Sequence, residues 1–487
     1  MSPVDPTRPD APPRTQQQPQ SRCRFGIATG DITPPVGIYH RMGGAARHDR
    51  AAGVHRPLRA TVVCFADVAD TQRQLIVALD HCILGEAELA RVKGRIDAPG
   101  AAVTVVCSHT HAAGLLSLDR IDMPGGELIP DYLDLIAVQV AALAVEAQQR
   151  AQSTTIVYGT GRCALAANRD YYDAAGERYV CGYNPAVTAD DLVTVARVSD
   201  GGGGLLATVV NYACHPTTLA ADNELISPDY PGAMREMVEA ATAAPCLFLQ
   251  GASGDLGPRD GFSGDVEVAD RNGRQLGHAA LAVLAGLDPP GSRFVYRGPL
   301  ESGAALGIWR HEPLPEAERG RLGHWRFWRG SIDLPYRGDL APIEEIAADL
   351  ARLEQGEAVA HDAGDETAAG RHRAMAERRR RELARRRTLP PGDVFPWQVA
   401  ITVSGDAVWV FVQGEPYNAL QVELRRRFPR HCLVVAALAG AWSVGYLPTE
   451  CSYGRDLYQQ NIAVVAPGAL EQGIEAIAEK ISSLIDD

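Results

Sequence analysis

The sequence predicts an α/β protein, a mixed sheet core flanked by helices with a charged helical hairpin projecting from it. Three observations predict this. Strand-like apolar runs recur along the chain: VTVVC before His109, LLATVVNYAC before His215, PCLFLQ before the loop GASGDLGP, AVWVFV before Glu415, and HCLVVAALAGAWSVG before Tyr446. Continuous apolar runs of this kind suit strands covered on both faces. Amphipathic stretches such as DYLDLIAVQVAALAVEAQQRA and ALEQGIEAIAEKISSLI supply the covering helices. From 342 to 388 the texture turns charged and helical with a glycine-containing link, and Pro390 and Pro391 end it.

In chain order, residues 1–22 are rich in Pro and Gln and read as a disordered tail. Residues 23–487 form the folded domain, with 342–388 as its hairpin insertion. FGIATGDITPPVG is a first strand stopped by Pro34 and Pro35. IYHRMGGAARHDRAAGVHRP is a long loop of the kind that often carries function. RATVVCFAD and RQLIVALDHCIL are strands, EAELARVKGRI is a helix, and PDYPGAMREMVEAATAA opens another after a proline turn.

A net charge of −13 argues against nucleic acid or an anionic membrane surface as partner. No run reaches the ~20 uninterrupted apolar residues of a span, and none near the start resembles a secretory signal. A cytoplasmic location is the expectation. The ten cysteines lie mostly inside apolar runs, where a free thiol behaves as a small hydrophobe, so a reducing compartment fits better than a disulfide framework. The arginine run from Arg378 to Arg387 alternates with Glu377 and Glu382 and reads as a solvated helix face. The thin apolar stripe of the hairpin suggests that it either shapes the substrate entrance or is buried against a second copy of the chain, the latter being the expectation.

Open α/β sheets gather ligand sites at the carboxyl ends of their strands. His109 and His111 are two apart, so on a strand both imidazoles face one side and address one site. His215 follows a strand directly, and by itself reads equally as a turn cap beside Pro216. Asp255 stands in a glycine-rich loop that is either an active-site loop or a tight turn. Burying Glu415 behind an apolar strand is costly unless it is paired or bound to a cation. Tyr446, on composition alone, is a core or rim tyrosine.

Taken in order, GIATGDITPPVG, GVHRPLRA, SHTHAAG, Asn168-Arg169, NYACHPTTLAADNELISPDYPG, QGASGDLGP, QGEP, GYLPTE and Tyr458 resemble the catalytic domain of the neutral/alkaline non-lysosomal ceramidases and their bacterial relatives. The resemblance runs over about residues 23 to 480. It implies one zinc ion held by His109, His215, Glu415 and Tyr446, with His111, Arg169 and Tyr458 around the scissile carbonyl. A site of this kind activates water and polarises a carbonyl. The implied activity is zinc-dependent hydrolysis of a linear N-acyl amide by metal-activated water. Gly257 departs from the family, which carries a serine at this point of the loop. That departure, the end of the chain at Asp487 without an immunoglobulin-like domain, and the lack of a signal lead to the expectation of an intracellular relative acting on a small amide rather than ceramide. An esterase or acyl-transfer enzyme on the same scaffold, or a non-catalytic metal- or ligand-binding descendant, are the other readings.

Overall fold

The computed structural model describes residues 15–486. An eight-stranded sheet runs in the order Cys246–Gln250, Leu205–Tyr212, Leu192–Ser199, Gln152–Arg162, Gln20–Asp31, Arg59–Ala66, Arg73–Leu79, Ala102–Cys107. Its six central strands pair antiparallel, and each edge strand pairs parallel with its neighbour. A second sheet of four strands, Trp325–Pro335, Val394–Ser404, Ala407–Val412 and Cys432–Ala436, also ends in a parallel pair.

Period-two burial explains how the sheets stack. In the strand Arg59–Ala66, Val62 and Cys64 enter one core while Val63 and Phe65 enter another. The second core lies between the two sheets and holds Phe25, Phe65, Tyr158, Trp409 and Phe411. Phe65 meets Trp325 edge-on at 4.5 Å between ring centroids. The outer faces are covered by helices. Ile129–Gln149 lies on the large sheet through Leu133, Ile136, Val140 and Ala144, and Tyr230–Thr242 and Val266–Ala285 cover its other half. Ala469–Asp486 covers the small sheet through Ile474, Ile477 and Ile481. The result is a helix–sheet–sheet–helix stack, the α/β class with a mixed sheet that the apolar runs predict.

Helix Gly126–Gln149 is long and apolar enough to cross a membrane, and its buried face rests on the sheet. The tail boundary shifts: Gln20 and Ser21 are fully buried in a central strand, and Thr15–Gln16 pair with Phe294 and Val295. Residues 1–14 of the expected tail lie outside the described residues. All ten cysteines are unpaired thiols.

The hairpin is two helices, Ile343–Asp362 and Glu366–Thr388, inserted between adjacent antiparallel strands of the small sheet. Its second helix does not present a uniformly solvated face. Glu377 and Arg385 are buried, and Glu377 takes hydrogen bonds from Arg120 at 2.9 Å and Arg381 at 2.9 Å. Arg120 sits outside the hairpin, so composition within the arginine run could not reveal which of its residues would be covered.

The two edge strands of the large sheet come together where the small sheet meets it. Ala437 donates to Gln250 O at 2.9 Å and Gly440 to Val105 O at 2.8 Å, so the segment after Cys432–Ala436 bridges both edges. The carboxyl ends of the parallel pairs from both sheets thereby converge.

Candidate metal centre

The segments that carry His109, His215, Glu415 and Tyr446 arrive at this convergence. The strand Ala102–Cys107 stops two residues before His109, whose backbone adopts the left-handed φ of 69°. His109 N donates to His81 O at 2.8 Å, which holds this uncommon conformation. His109 and His111 lie side by side, brought together by a loop rather than by strand alternation. Their ring centroids lie 4.9 Å apart.

Glu415 and Tyr446 are placed side by side by a short parallel bridge, Glu415 opposite Tyr446 and Pro416 opposite Leu447. Gly414 makes that approach feasible: at φ 75°, a Cβ there would stand 2.3 Å from Val444 Cγ1 and 2.6 Å from Gly445 O. His215 leaves the strand Leu205–Tyr212 and packs at 4.6 Å from the His109 ring.

These side chains converge on one point. His109 Nε2 lies 3.1 Å and His215 Nε2 2.8 Å from Glu415 Oε2, and the Tyr446 hydroxyl is 3.3 Å from His215 Nε2. The other imidazole nitrogens are committed elsewhere. His109 Nδ1 donates to Cys82 O at 2.9 Å, and His215 Nδ1 to Ser253 O at 2.7 Å. Such backbone partners fix the tautomer and aim the remaining nitrogen, as outer partners of metal-bound histidines do. Two nitrogen lone pairs and a carboxylate oxygen then face one another in a buried site. Without positive charge between them this arrangement is repulsive, and a divalent cation satisfies all of them.

His109, His215 and Glu415 thus form a group that could hold a metal ion, and Tyr446 adds a phenol oxygen beside them. Burial and the Arg169 guanidinium push His215 down to about 3, so its imidazole is neutral and able to ligate. Burial works against ionisation of Glu415, but charge attraction to a protonated His109 imidazole, a role a bound cation would take over, outweighs it and holds the carboxyl well below the ordinary range.

Around this group stand the other expected residues. Arg169 is buried and donates to Gly254 O at 2.6 Å and to the Tyr446 hydroxyl at 3.1 Å. His111 Nε2 is buried without a hydrogen-bond partner. Tyr458 is 45% exposed and meets Tyr446 edge-on at 5.9 Å, which puts it on the solvent side of the centre. Asp255 stands apart, accepting from Asn418 N at 2.7 Å, so it acts as a turn cap. A side chain at Gly257 would have its Cβ 3.7 Å from both Arg169 Cδ and Thr217 Oγ1, so this position lies against the site.

Sequence reasoning missed Trp442, whose Nε1 donates to the second carboxylate oxygen of Glu415 at 2.6 Å. It also missed Cys82, whose carbonyl orients His109. Both lie in runs read only as strands. A polar-edged Trp inside a glycine-broken apolar run was the available signal.

Fold and geometry define an α/β protein with a candidate metal centre of two histidines, a glutamate and a tyrosine at converging strand ends. Residues 24–253 match the family model of the N-terminal part of the neutral/alkaline non-lysosomal ceramidases. It is 24% identical over 270 residues to a neutral ceramidase of Pseudomonas aeruginosa, covering 52% of this chain and 40% of that protein. It is 27% identical over 282 residues to neutral ceramidase B of Dictyostelium discoideum, covering 52% of this chain and 39% of that protein. The matched stretch therefore spans about two fifths of these relatives. The fold is similar to the crystal structure of neutral ceramidase from Pseudomonas aeruginosa, with a TM-score of 0.62 at 17% identity over 95% of this chain and 74% of that one.

Proposed function

We propose that this chain is a zinc-dependent hydrolase of a linear N-acyl amide, acting on a small substrate rather than on ceramide. The observation that carries the reading is the convergence of His109 Nε2, His215 Nε2 and Glu415 Oε2 beside an unpartnered His111 Nε2. Two imidazoles with carboxylate and phenol oxygens suit zinc among common divalent ions. When bound, zinc supplies Lewis-acid polarisation of the carbonyl and activation of water. Kinship with the ceramidases supports an amide as the bond cleaved.

The chain's own residues supply the rest. In the reaction, water oxygen bonds to the carbonyl carbon, the carbon–nitrogen bond breaks, and a proton passes from the water to the leaving nitrogen. His111, with a free Nε2, is placed to hold that proton in transit. Arg169 keeps the Tyr446 hydroxyl in place and adds positive potential where negative charge develops on the carbonyl oxygen. Tyr458, on the open side, meets the substrate. Glycine at 257 supplies no hydroxyl at that position of the loop, which supports direct attack by water.

A panel of N-acyl amines and matching esters, run on purified protein with metal content measured in parallel, tests this. Amide cleavage that chelation abolishes and zinc restores supports it. Faster cleavage of esters, or acyl transfer to an added amine, would redirect the assignment to the ester or transfer chemistry. Absence of bound metal with folding intact after chelation would overturn it.

A further inference from the structure

Arg385 is out of keeping with the rest of its helix. Its neighbours have ion-pair partners: Arg379 with Glu382 at 2.6 Å, Arg380 with Glu354 at 2.6 Å, and Arg381 with Glu377 at 2.9 Å. Arg385 is only 8% exposed, its Nε has no hydrogen-bond partner, and among the described residues no carboxylate lies at ion-pair distance from it. Its guanidinium carbon stands 5.3 Å from the centroid of the Trp442 ring, the same indole that donates to Glu415. Arg385 thus forms part of the wall beside the candidate metal centre. Burial lowers its pKa to about 10, with Glu382, Tyr458 and Glu415 in its field, so it stays charged at neutral pH.

A buried cation without a counterion is costly, and a cation–π contact offsets only part of that. Glu415 cannot serve as its partner, since His109, His215 and Trp442 occupy both carboxylate oxygens. A dication at the centre would add positive charge nearby and strengthen the demand for an anion.

We propose that Arg385 is a specificity-determining residue that pairs with an oxyanion, carboxylate or phosphate, carried by the substrate close to its scissile amide. The inference rests on the amide-hydrolase reading above and narrows it to N-acylated amino acids or N-acylated phosphoamines. A guanidinium offers planar, paired donors to either oxyanion, which sets these substrates apart from a neutral N-acyl alcohol amine.

The test compares N-lauroylglycine, N-lauroylphosphoethanolamine and neutral N-lauroylethanolamine as substrates of the zinc-loaded enzyme. We expect kcat/KM for one of the anionic amides to exceed that of the neutral one by about 10- to 100-fold, the worth of a charge-assisted hydrogen bond. Which anionic amide leads separates carboxylate from phosphate. The ratio should fall toward one in Arg385→Gln and survive in part in Arg385→Lys. A wild-type ratio near or below one, or a ratio unchanged in Arg385→Gln, overturns the inference while leaving amide hydrolysis standing. If Arg385→Gln fails to fold, the wild-type ratio and Arg385→Lys decide. If none of the three is cleaved, the amide reading fails on its own. Calorimetric binding of N-lauroylglycine then decides for Arg385: binding weakened tenfold or more by Arg385→Gln supports the site, and equal or absent binding overturns it.

Discussion

Replacing Glu377 by alanine probes how the hairpin is joined to the body. Its carboxylate is 3% exposed and accepts from Arg120, 1% exposed, at 2.9 Å, from Arg381 at 2.9 Å and from Arg380 at 3.2 Å. Removing one partner of a buried ion pair costs ~3–5 kcal/mol, because the other charge stays buried without compensation. Arg120 retains Asp119 at 2.8 Å and Arg380 retains Glu354 at 2.6 Å, so the loss belongs at the lower end, about 3 kcal/mol. Urea unfolding of the metal-loaded protein, comparing midpoints at equal slope, measures it. Glu366→Ala on the same helix, 74% exposed and paired with His361, should change stability by less than ~0.5 kcal/mol. In the double variant with Arg120→Met, part of the loss should return, since the uncompensated charge is gone. An effect of Glu377→Ala no larger than that of Glu366→Ala would refute the reasoning and return the hairpin to a loosely attached appendage.

His109→Ala and His215→Ala should each reduce bound zinc from stoichiometric to near zero by elemental analysis, whereas His111→Ala should keep its zinc. His111→Ala should lower kcat by about 100- to 10,000-fold, the range for losing a proton-transfer group. Acid should destabilise the fold through His40, which burial, with a further push from the His48 imidazole beside it, depresses to about 4. A depressed histidine contributes stability that is full above its unfolded value near 6.5 and lost as pH falls toward 4, on the order of 3 kcal/mol. His40→Gln should flatten the fall of the urea midpoint between pH 7 and 4.5, and an unchanged slope would show that His40 is not buried neutral.

Much of the centre was legible because its residues terminate strands. The apolar runs before His109, His215 and Glu415 mark strands covered on both faces, and strand ends are where such sheets place ligands. Tyr446 was not legible this way. A tyrosine after an apolar run has a bland reading as a core residue, and only the bridge to Glu415 sets its hydroxyl near His215. Gln20 was misread as tail because polar residues that pair inside a sheet carry no apolar signature, although Gln20 is fully buried and donates to Ser292 O.

Local composition determined the α/β class, the covering helices, the hairpin and the candidate nitrogen and oxygen donors, since these follow from periodicity and from residue types at strand ends. Tertiary structure alone decided which donors meet. His109 and Glu415 are 306 residues apart, and only the curling of one sheet against the other brings them to 3.1 Å. The same holds for Arg385. Whether a charged helix faces water or a site depends on what packs against it, and here Trp442, more than fifty residues further along the chain, decides it.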